Sequence, residues 1–130
     1  MLFRSQGIDS THFACMINMD MVGRLNASTH ALELGGVGTS PAWAGVAAMA
    51  GTEFKLTIDS SGVGPSDHTS FYHAGIPVLF LFTLQHKDYH KPSDRAELIN
   101  YPGEAQVIKY VTRIIAKEKD RKSTRLNSSH

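Results

Sequence analysis

The apolar run from Val78 to Phe82 constrains the fold of this 130-residue chain more than any other segment. Its apolar side chains do not alternate with polar ones, which is typical of a strand covered on both faces by helices. Pro77 opens the run, and proline is tolerated at the first residue of a strand. We therefore predict that this run is the central strand of a sheet in an α/β fold.

A second buried strand is predicted within residues 13–22, which are too short and too continuously apolar for an amphipathic helix. Asn18 and Asp20 interrupt this segment, and Gly23 closes it. An unpaired carboxylate in such a strand would cost several kcal/mol unless a cation, hydrogen bonds or the open end of the sheet compensated it. Asp20 therefore either accepts backbone N–H bonds at the strand end or binds a metal.

Two further strands and three helices complete the predicted domain, which spans residues 1–116. The strands are Ala31–Leu34 and Phe54–Ile58. The helices are Pro41–Ala50 with Ser40 as its N-cap, a helix that Ser66 caps and that runs to about Ala74, and Pro102–Lys117. The last helix carries an apolar stripe that should cover the sheet, formed by Val107, Ile108, Val111, Ile114 and Ile115.

Residues 117–130 have one aliphatic side chain and no apolar period, so we predict a disordered tail, and the end of this tail resembles a non-native cloning scar. The formal charge is only +1, and no basic stripe indicates nucleic-acid binding. The longest apolar run is far shorter than the roughly 20 residues of a membrane helix. The single cysteine, Cys15, excludes an intrachain disulfide framework.

The polar segment that follows the predicted central strand, residues 83–100, is the best candidate for a functional loop. His86 and His90 are four residues apart, as in helical two-histidine zinc sites. The catalytic glutamate of that motif is absent between them, and Pro92 disfavours a helix. His90 as a loop ligand that binds a metal through one ring nitrogen fits the sequence better.

Three side chains near these positions each have a functional and a structural interpretation. Asp94 could hold the second ring nitrogen of His90 or cap a turn. Tyr89 could donate its hydroxyl to a developing oxyanion or simply pack its ring. Asp67 is favoured in the first turn of a helix by the helix dipole alone. Serine hydrolysis is disfavoured because Gly-x-Ser-x-Gly is absent.

Four blocks, in order, resemble the C-terminal half of the zinc aminopeptidases related to aminopeptidase Y and bacterial leucyl aminopeptidase. They are the blocks at residues 17–24 (Ile-Asn-Met-Asp-Met-Val-Gly-Arg), 64–72, 75–78 and 88–94 (Asp-Tyr-His-Lys-Pro-Ser-Asp). Their order and spacing match over roughly residues 12–116. No single block is decisive, but four in order are much more specific than one.

The resemblance implies a three-layer α/β sandwich with a mostly parallel central sheet and two zinc ions at the C-terminal ends of the central strands. It implies that Asp20 binds one zinc and His90 the other, and that Tyr89 helps to hold the tetrahedral intermediate. Asp67 and Asp94 match motif positions with supporting roles. In such sites two metals about 3.5–4 Å apart polarise the scissile carbonyl and activate a bridging water, which a glutamate deprotonates.

The sequence departs from this family pattern in one respect. The His-x-Asp segment and the Glu-Glu pair, which would supply further ligands and the general base, have no counterpart upstream of Asp20, where the family places them. The resemblance thus implies a peptidase domain truncated at its N-terminus, with no general base in this chain. We expect the isolated chain to be inactive on peptide substrates and to associate through an exposed sheet edge.

Two alternative functions remain open from the sequence: a single-zinc glutaminyl cyclase on the same scaffold, and a non-catalytic binding module. The resemblance also suggests an exported or periplasmic protein, since members of such families are often exported.

Overall fold

The computed structural model describes residues 10–128 and contains one four-stranded sheet. The strands are β1 (Met16–Asp20), β2 (Ala31–Gly35), β3 (Lys55–Asp59) and β4 (Val78–Phe82). Their order across the sheet is β1-β4-β2-β3. β1 runs parallel to β4 and β2 runs parallel to β3, whereas β2 and β4 are antiparallel. The sheet is therefore mixed but mostly parallel, and the predicted α/β fold class is confirmed.

Two helices cover the two faces of this sheet. Helix α1 (His68–His73) contacts β4 and β1, and helix α2 (Tyr101–Ser128) contributes to the main apolar core. The remaining helical turns are short 3-10 segments at Ser10–His12, Val22–Arg24, Val37–Thr39, Pro41–Trp43, Ala48–Ala50 and Ala96–Leu98. Within residues 10–128, no helix is long and apolar enough to cross a membrane.

β4 lies inside the sheet between β1 and β2, as its continuous apolar sequence predicts. Leu79 and Leu81 are fully buried in the core that α2 covers. Phe80 points to the opposite face, because side chains alternate along a strand, and it stacks on His68 of α1. Apolar side chains are thus needed on both faces of this strand.

β1 is an outer strand rather than the fully buried strand that its sequence predicts. Asn18 is buried, but Met19 on the other face is 44% exposed. The apolar core on that face is centred on β2 and β4, so the outer strand is only partly covered. β1 is therefore covered less completely than its apolar sequence predicts.

The helix predicted at Pro41–Ala50 is instead two separate 3-10 turns. Ser40 does cap the first turn, since its side chain accepts a hydrogen bond from the Ala42 N–H. Ala44 then leaves the helical region with a ψ of 130°, and Gly45 adopts a left-handed φ of +82°, so the two turns do not join into a continuous helix.

The apolar stripe of α2 is narrower than predicted. Val107, Val111 and Ile114 are buried, whereas Ile108 is 49% and Ile115 is 54% exposed. Each residue of a helix turns by about 100°, so the residue that follows a buried position points well away from the core. Tyr110, which is not part of the predicted stripe, is fully buried among these residues.

Helix α2 continues to Ser128, where the sequence predicted a disordered tail from residue 117. The Lys117 ammonium donates a hydrogen bond to the Ala44 carbonyl. Arg121 pairs with Glu118 at 3.0 Å, one helical turn before it. Lysine, glutamate and arginine are also good helix formers, which explains a helix without an apolar period. Residues 1–9 and 129–130 lie outside the described residues, and the division at residue 116 stays a prediction.

The Tyr110 hydroxyl provides the first testable prediction. It donates a hydrogen bond to the Val46 carbonyl at 2.7 Å, and burial raises the pKa of this phenol to about 12. Tyr110→Phe should lower the free energy of unfolding by about 1 kcal/mol, because the Val46 carbonyl loses this bond but the residue's volume is nearly kept. Urea unfolding measures the change. Tyr101→Phe is the matched control, since Tyr101 is 61% exposed. Equal losses in both variants would contradict the assignment.

Candidate active site

All five side chains that the sequence singled out line one cleft of about 780 Å³. These residues are Asp20, Asp67, Tyr89, His90 and Asp94. The cleft lies at the carboxyl ends of β1 and β4, where the last residue of β1, Asp20, is in register with Phe82. Parallel neighbouring strands end at the same edge of a sheet, so the residues that follow them meet there.

Asp20 is held by a chain of side-chain hydrogen bonds. The Ser66 hydroxyl donates to Oδ2 of Asp20 at 2.9 Å, and it accepts a bond from Nδ2 of Asn18 at 2.8 Å. Ser66 therefore does not cap helix α1 as predicted. Asp67 occupies the N-cap position without a side-chain cap bond, and its exposed carboxylate is part of the cleft wall.

His68, which the sequence pattern does not assign to the site, contacts Asn18 at the far end of this series of hydrogen bonds. Its side chain is buried, and its ring stacks on Phe80 with the ring centroids 4.2 Å apart. Nδ1 of His68 lies 3.3 Å from Nδ2 of Asn18. Because an amide nitrogen is a donor, Nδ1 accepts and the ring is neutral with its proton on Nε2. Burial accordingly lowers the pKa of His68, and the charge of nearby Asp20 only partly opposes this.

This lowered pKa predicts a loss of stability in mild acid. The unfolded chain takes up the His68 proton below pH about 6.5, whereas the folded chain takes it up only at a lower pH. The stabilisation of the folded chain is thus complete above pH about 6.5, and it is lost as the pH falls through the pKa of the folded chain. Urea unfolding from pH 7.5 to 5 should show a steeper decline for the wild-type chain than for His68→Gln. His73→Gln, which changes an exposed histidine of the same helix, should keep the wild-type slope. Parallel declines in all three proteins would refute the prediction.

The loop after β4 is tied to the turn after β1 by Arg24. One guanidinium nitrogen, Nη2, contacts Oδ2 of Asp88 at 2.8 Å, and the other, Nη1, contacts Oδ1 of Asp94 at 2.6 Å. Asp88 is only 6% exposed. The hydrogen bond from Arg24, followed by one from Ser93, lowers the pKa of the Asp88 carboxyl. The buried carboxylate is therefore ionised and compensated.

Asp94 differs from both of its sequence interpretations. Its carboxylate pairs with Arg24, and it lies 3.9 Å from Nε2 of His86 rather than holding the ring of His90. The reason is that Arg24 is a permanent cation and presents a fork of N–H donors, which a carboxylate prefers to a neutral ring. Arg24 and Asp88 were not assigned to the site from sequence. The charged side chains in the blocks at residues 17–24 and 88–94 are the sequence signal that could have identified them.

Tyr89 and His90 are both exposed on the cleft side of this loop. Their rings pack edge to face with centroids 4.0 Å apart. His90 has a φ of +54°, which is uncommon for a residue other than glycine. The loop therefore holds His90 in a specific backbone conformation at the cleft.

The donor set in this cleft falls short of a complete metal centre. Aspartate and neutral histidine are suitable zinc ligands, and Asp20 and His90 line the same cleft. A zinc site takes three or four protein ligands. Within residues 10–128, however, no group of three or more histidine, cysteine, aspartate or glutamate side chains is placed to hold a metal ion. The described residues alone therefore do not complete a zinc site.

Comparison with known proteins identifies the family. The family model described as Peptidase family M28 matches residues 2–115, which is most of the chain. No curated protein and no solved structure gave a significant match. The family match covers the three motif blocks that line the cleft, at residues 17–24, 64–72 and 88–94. The chain therefore belongs to peptidase family M28, a family of metallopeptidases that typically depend on zinc.

Proposed function

We propose that this chain carries part of the active site of a two-zinc aminopeptidase, which removes N-terminal residues from peptides. The observation that supports this most directly is the shared cleft of Asp20 and the Tyr89–His90 pair at the ends of two parallel strands. Asp20 would be a ligand of one zinc and His90 a ligand of the other. The family match does not favour a glutaminyl cyclase or a non-catalytic binding module.

The surroundings of these residues suit the proposed roles. The bond from Ser66 leaves the Asp20 carboxylate with free lone pairs while it fixes its orientation. His90 is exposed and so can offer a ring nitrogen to a metal. The Tyr89 hydroxyl would donate a hydrogen bond to the oxyanion that forms when the peptide carbonyl is attacked. Asp67 and Asp94 would have supporting roles, Asp94 through its ion pair with Arg24.

The remaining ligands and the general base are expected from a His-x-Asp segment and a Glu-Glu pair. The coding sequence upstream of Met1, read in frame, tests this part of the proposal. Both motifs upstream would support a two-zinc aminopeptidase. An open upstream frame that contains neither motif would overturn it.

Metal binding by the chain itself tests the ligand roles. Asp20→Asn and His90→Gln should each weaken zinc binding at least as much as the roughly 10–100-fold that loss of an outer-shell partner costs. Equilibrium dialysis measures the affinity. His73→Gln and Asp120→Asn, which change exposed residues outside the cleft, are the matched controls and should bind zinc like the wild-type chain. Equal zinc affinity in all five proteins would exclude Asp20 and His90 as ligands.

The same samples test the predicted inactivity. A two-ligand cleft without a general base should not release amino acids from a peptide at a measurable zinc-dependent rate. Steady zinc-dependent release by the purified 130-residue chain would contradict this expectation, and abolition of that release by chelation would identify the metal as its cause.

A further inference from the structure

The loop that bears Tyr89 and His90 has an unusual backbone. Within residues 10–128, positive φ angles occur at four non-glycine residues, of which Met21, Leu84 and His90 flank or line the cleft. Met21 directly follows Asp20, and Leu84 follows β4 by two residues. Residues other than glycine adopt this conformation only where surrounding contacts hold it. Some structural feature must therefore hold this loop.

Arg24 joins the middle of this loop to the turn that follows β1. It lies four residues after Asp20, and its two Nη atoms bind Asp88 and Asp94 at 2.8 and 2.6 Å. Asp88 precedes His90 by two residues, and Asp94 follows it by four. One guanidinium therefore binds the loop on both sides of His90 and links it to the turn that follows Asp20.

Hydrogen bonds within the loop hold Asp88 in place for Arg24. The Ser93 hydroxyl donates to the second oxygen of Asp88 at 2.8 Å. The backbone N–H of Asp88 donates to Nδ1 of His86 at 3.2 Å, and the Lys91 N–H donates to the Asp88 carbonyl at 2.9 Å. These bonds shape the loop, but all of them lie within it. Two further bonds join the ends of the segment 83–100 to the turn after β1: the Thr83 hydroxyl donates to the Met21 carbonyl, and the Asn100 N–H donates to the Gly23 carbonyl. Arg24 joins the middle of the segment to that turn, on both sides of His90.

We infer that Arg24 is a positioning residue, which holds the loop carrying Tyr89 and His90 beside Asp20 through its two aspartate partners. The inference that the loop is positioned stands on the geometry alone. Its consequence for metal binding rests on the proposed function.

Lysine should not replace arginine here. A guanidinium has several N–H donors in a rigid plane, so it can bind two separate carboxylates at once. An ammonium is a compact point charge on a flexible stem, and it would satisfy one aspartate at the expense of the other. The geometry therefore requires the fork and not only the positive charge.

Amide hydrogen exchange of the metal-free chain tests the positioning role. In Arg24→Met and Arg24→Lys, exchange at residues 86–94 should rise several-fold relative to the wild-type chain, while exchange in β2, β4 and α2 stays the same. Arg113→Met is the matched control, because Arg113 forms an exposed ion pair with Glu53 at 3.2 Å outside the cleft. It should leave residues 86–94 unchanged.

Three results would overturn the inference: unchanged exchange at residues 86–94 in Arg24→Met, a uniform rise over the whole sheet, or full rescue by Arg24→Lys. If Arg24→Met does not fold, Asp94→Asn decides the question. It removes the negative charge of one partner of Arg24, and it nearly keeps the shape of a side chain that is 42% exposed. Exchange at residues 86–94 should then rise, and wild-type protection would reject the inference.

Zinc titration separates this inference from the proposed function. If the wild-type chain binds zinc, Arg24→Lys should weaken binding by about 10–100-fold, as loss of an outer-shell partner does, while Arg113→Met should not. A wild-type chain that binds no zinc would count against the proposed ligands, and the exchange result would still decide the role of Arg24. A chain that binds zinc equally well with and without Arg24 would reject the consequence for the metal.

Discussion

Gly36→Ala should destabilise the chain by about 2–5 kcal/mol, whereas Gly75→Ala should cost only about 1–2 kcal/mol. Both glycines have nearly the same left-handed φ, +83° and +82°. A Cβ on Gly36 would lie 2.4 Å from the Val78 carbonyl oxygen, which is backbone, whereas a Cβ on Gly75 would meet nothing within 4 Å. The difference between the two variants therefore isolates the clash from the backbone strain.

The clash at Gly36 is difficult to relieve because its partner is fixed. The Val78 carbonyl accepts a hydrogen bond from the Thr39 hydroxyl at 3.0 Å, and Val78 is fully buried at the start of β4. Urea unfolding of the two variants and the wild-type chain measures both losses. Equal losses at the two positions would show that the loop around Gly36 moves away from β4 at little cost.

Leu81→Ala should lower the free energy of unfolding by about 3–5 kcal/mol, because the buried side chain is lost and the well-packed surroundings leave a cavity. Leu81 is fully buried in the main core, in the strand that lies between β1 and β2. The loss is a large part of the about 5–15 kcal/mol that stabilises a typical domain. At 37 °C we therefore expect a substantial unfolded population.

Leu98→Ala is the matched control for this core substitution. Leu98 has the same side chain but is 46% exposed, so its loss should change the free energy of unfolding by no more than about 0.5 kcal/mol. Thermal and urea unfolding give both values. A Leu81→Ala chain as stable as Leu98→Ala would mean that β4 is not packed as the structure describes.

The strands could be predicted from sequence because their signals are local. The run from Val78 to Phe82 has no alternation, so it could only be a strand covered on two faces, and it is β4. The short segment at Ala31–Leu34 is β2, as predicted. Asp20 in the segment 13–22 and His90 beyond the run from Val78 to Phe82 then predicted a site at the sheet edge, and the two residues do line one cleft.

Other features depend on contacts between distant residues and had no local signal. Ser66 is a favoured residue type at a helix N-cap, but its hydroxyl donates a hydrogen bond to Asp20 instead. Ile108 and Ile115 share the apolar character of the buried stripe, yet they lie outside the buried face of α2 and are exposed. Arg24 could have paired with any of several acids, and only the fold brings Asp88 and Asp94 to it. Propensity and periodicity cannot rank such choices.

The pairing of β1 with β4 also has a consequence for the order of folding. Met16 pairs with Val78 and Asp20 pairs with Phe82, so all of β2, β3 and α1 lie in the chain between them. The entropy of closing this long loop is lost before the pairing contributes any stability, which makes such contacts slow to form. β2 and β3 pair over a much shorter stretch and can form first. We therefore expect the cleft to form late during synthesis, after β4 and the loop that follows it have left the ribosome.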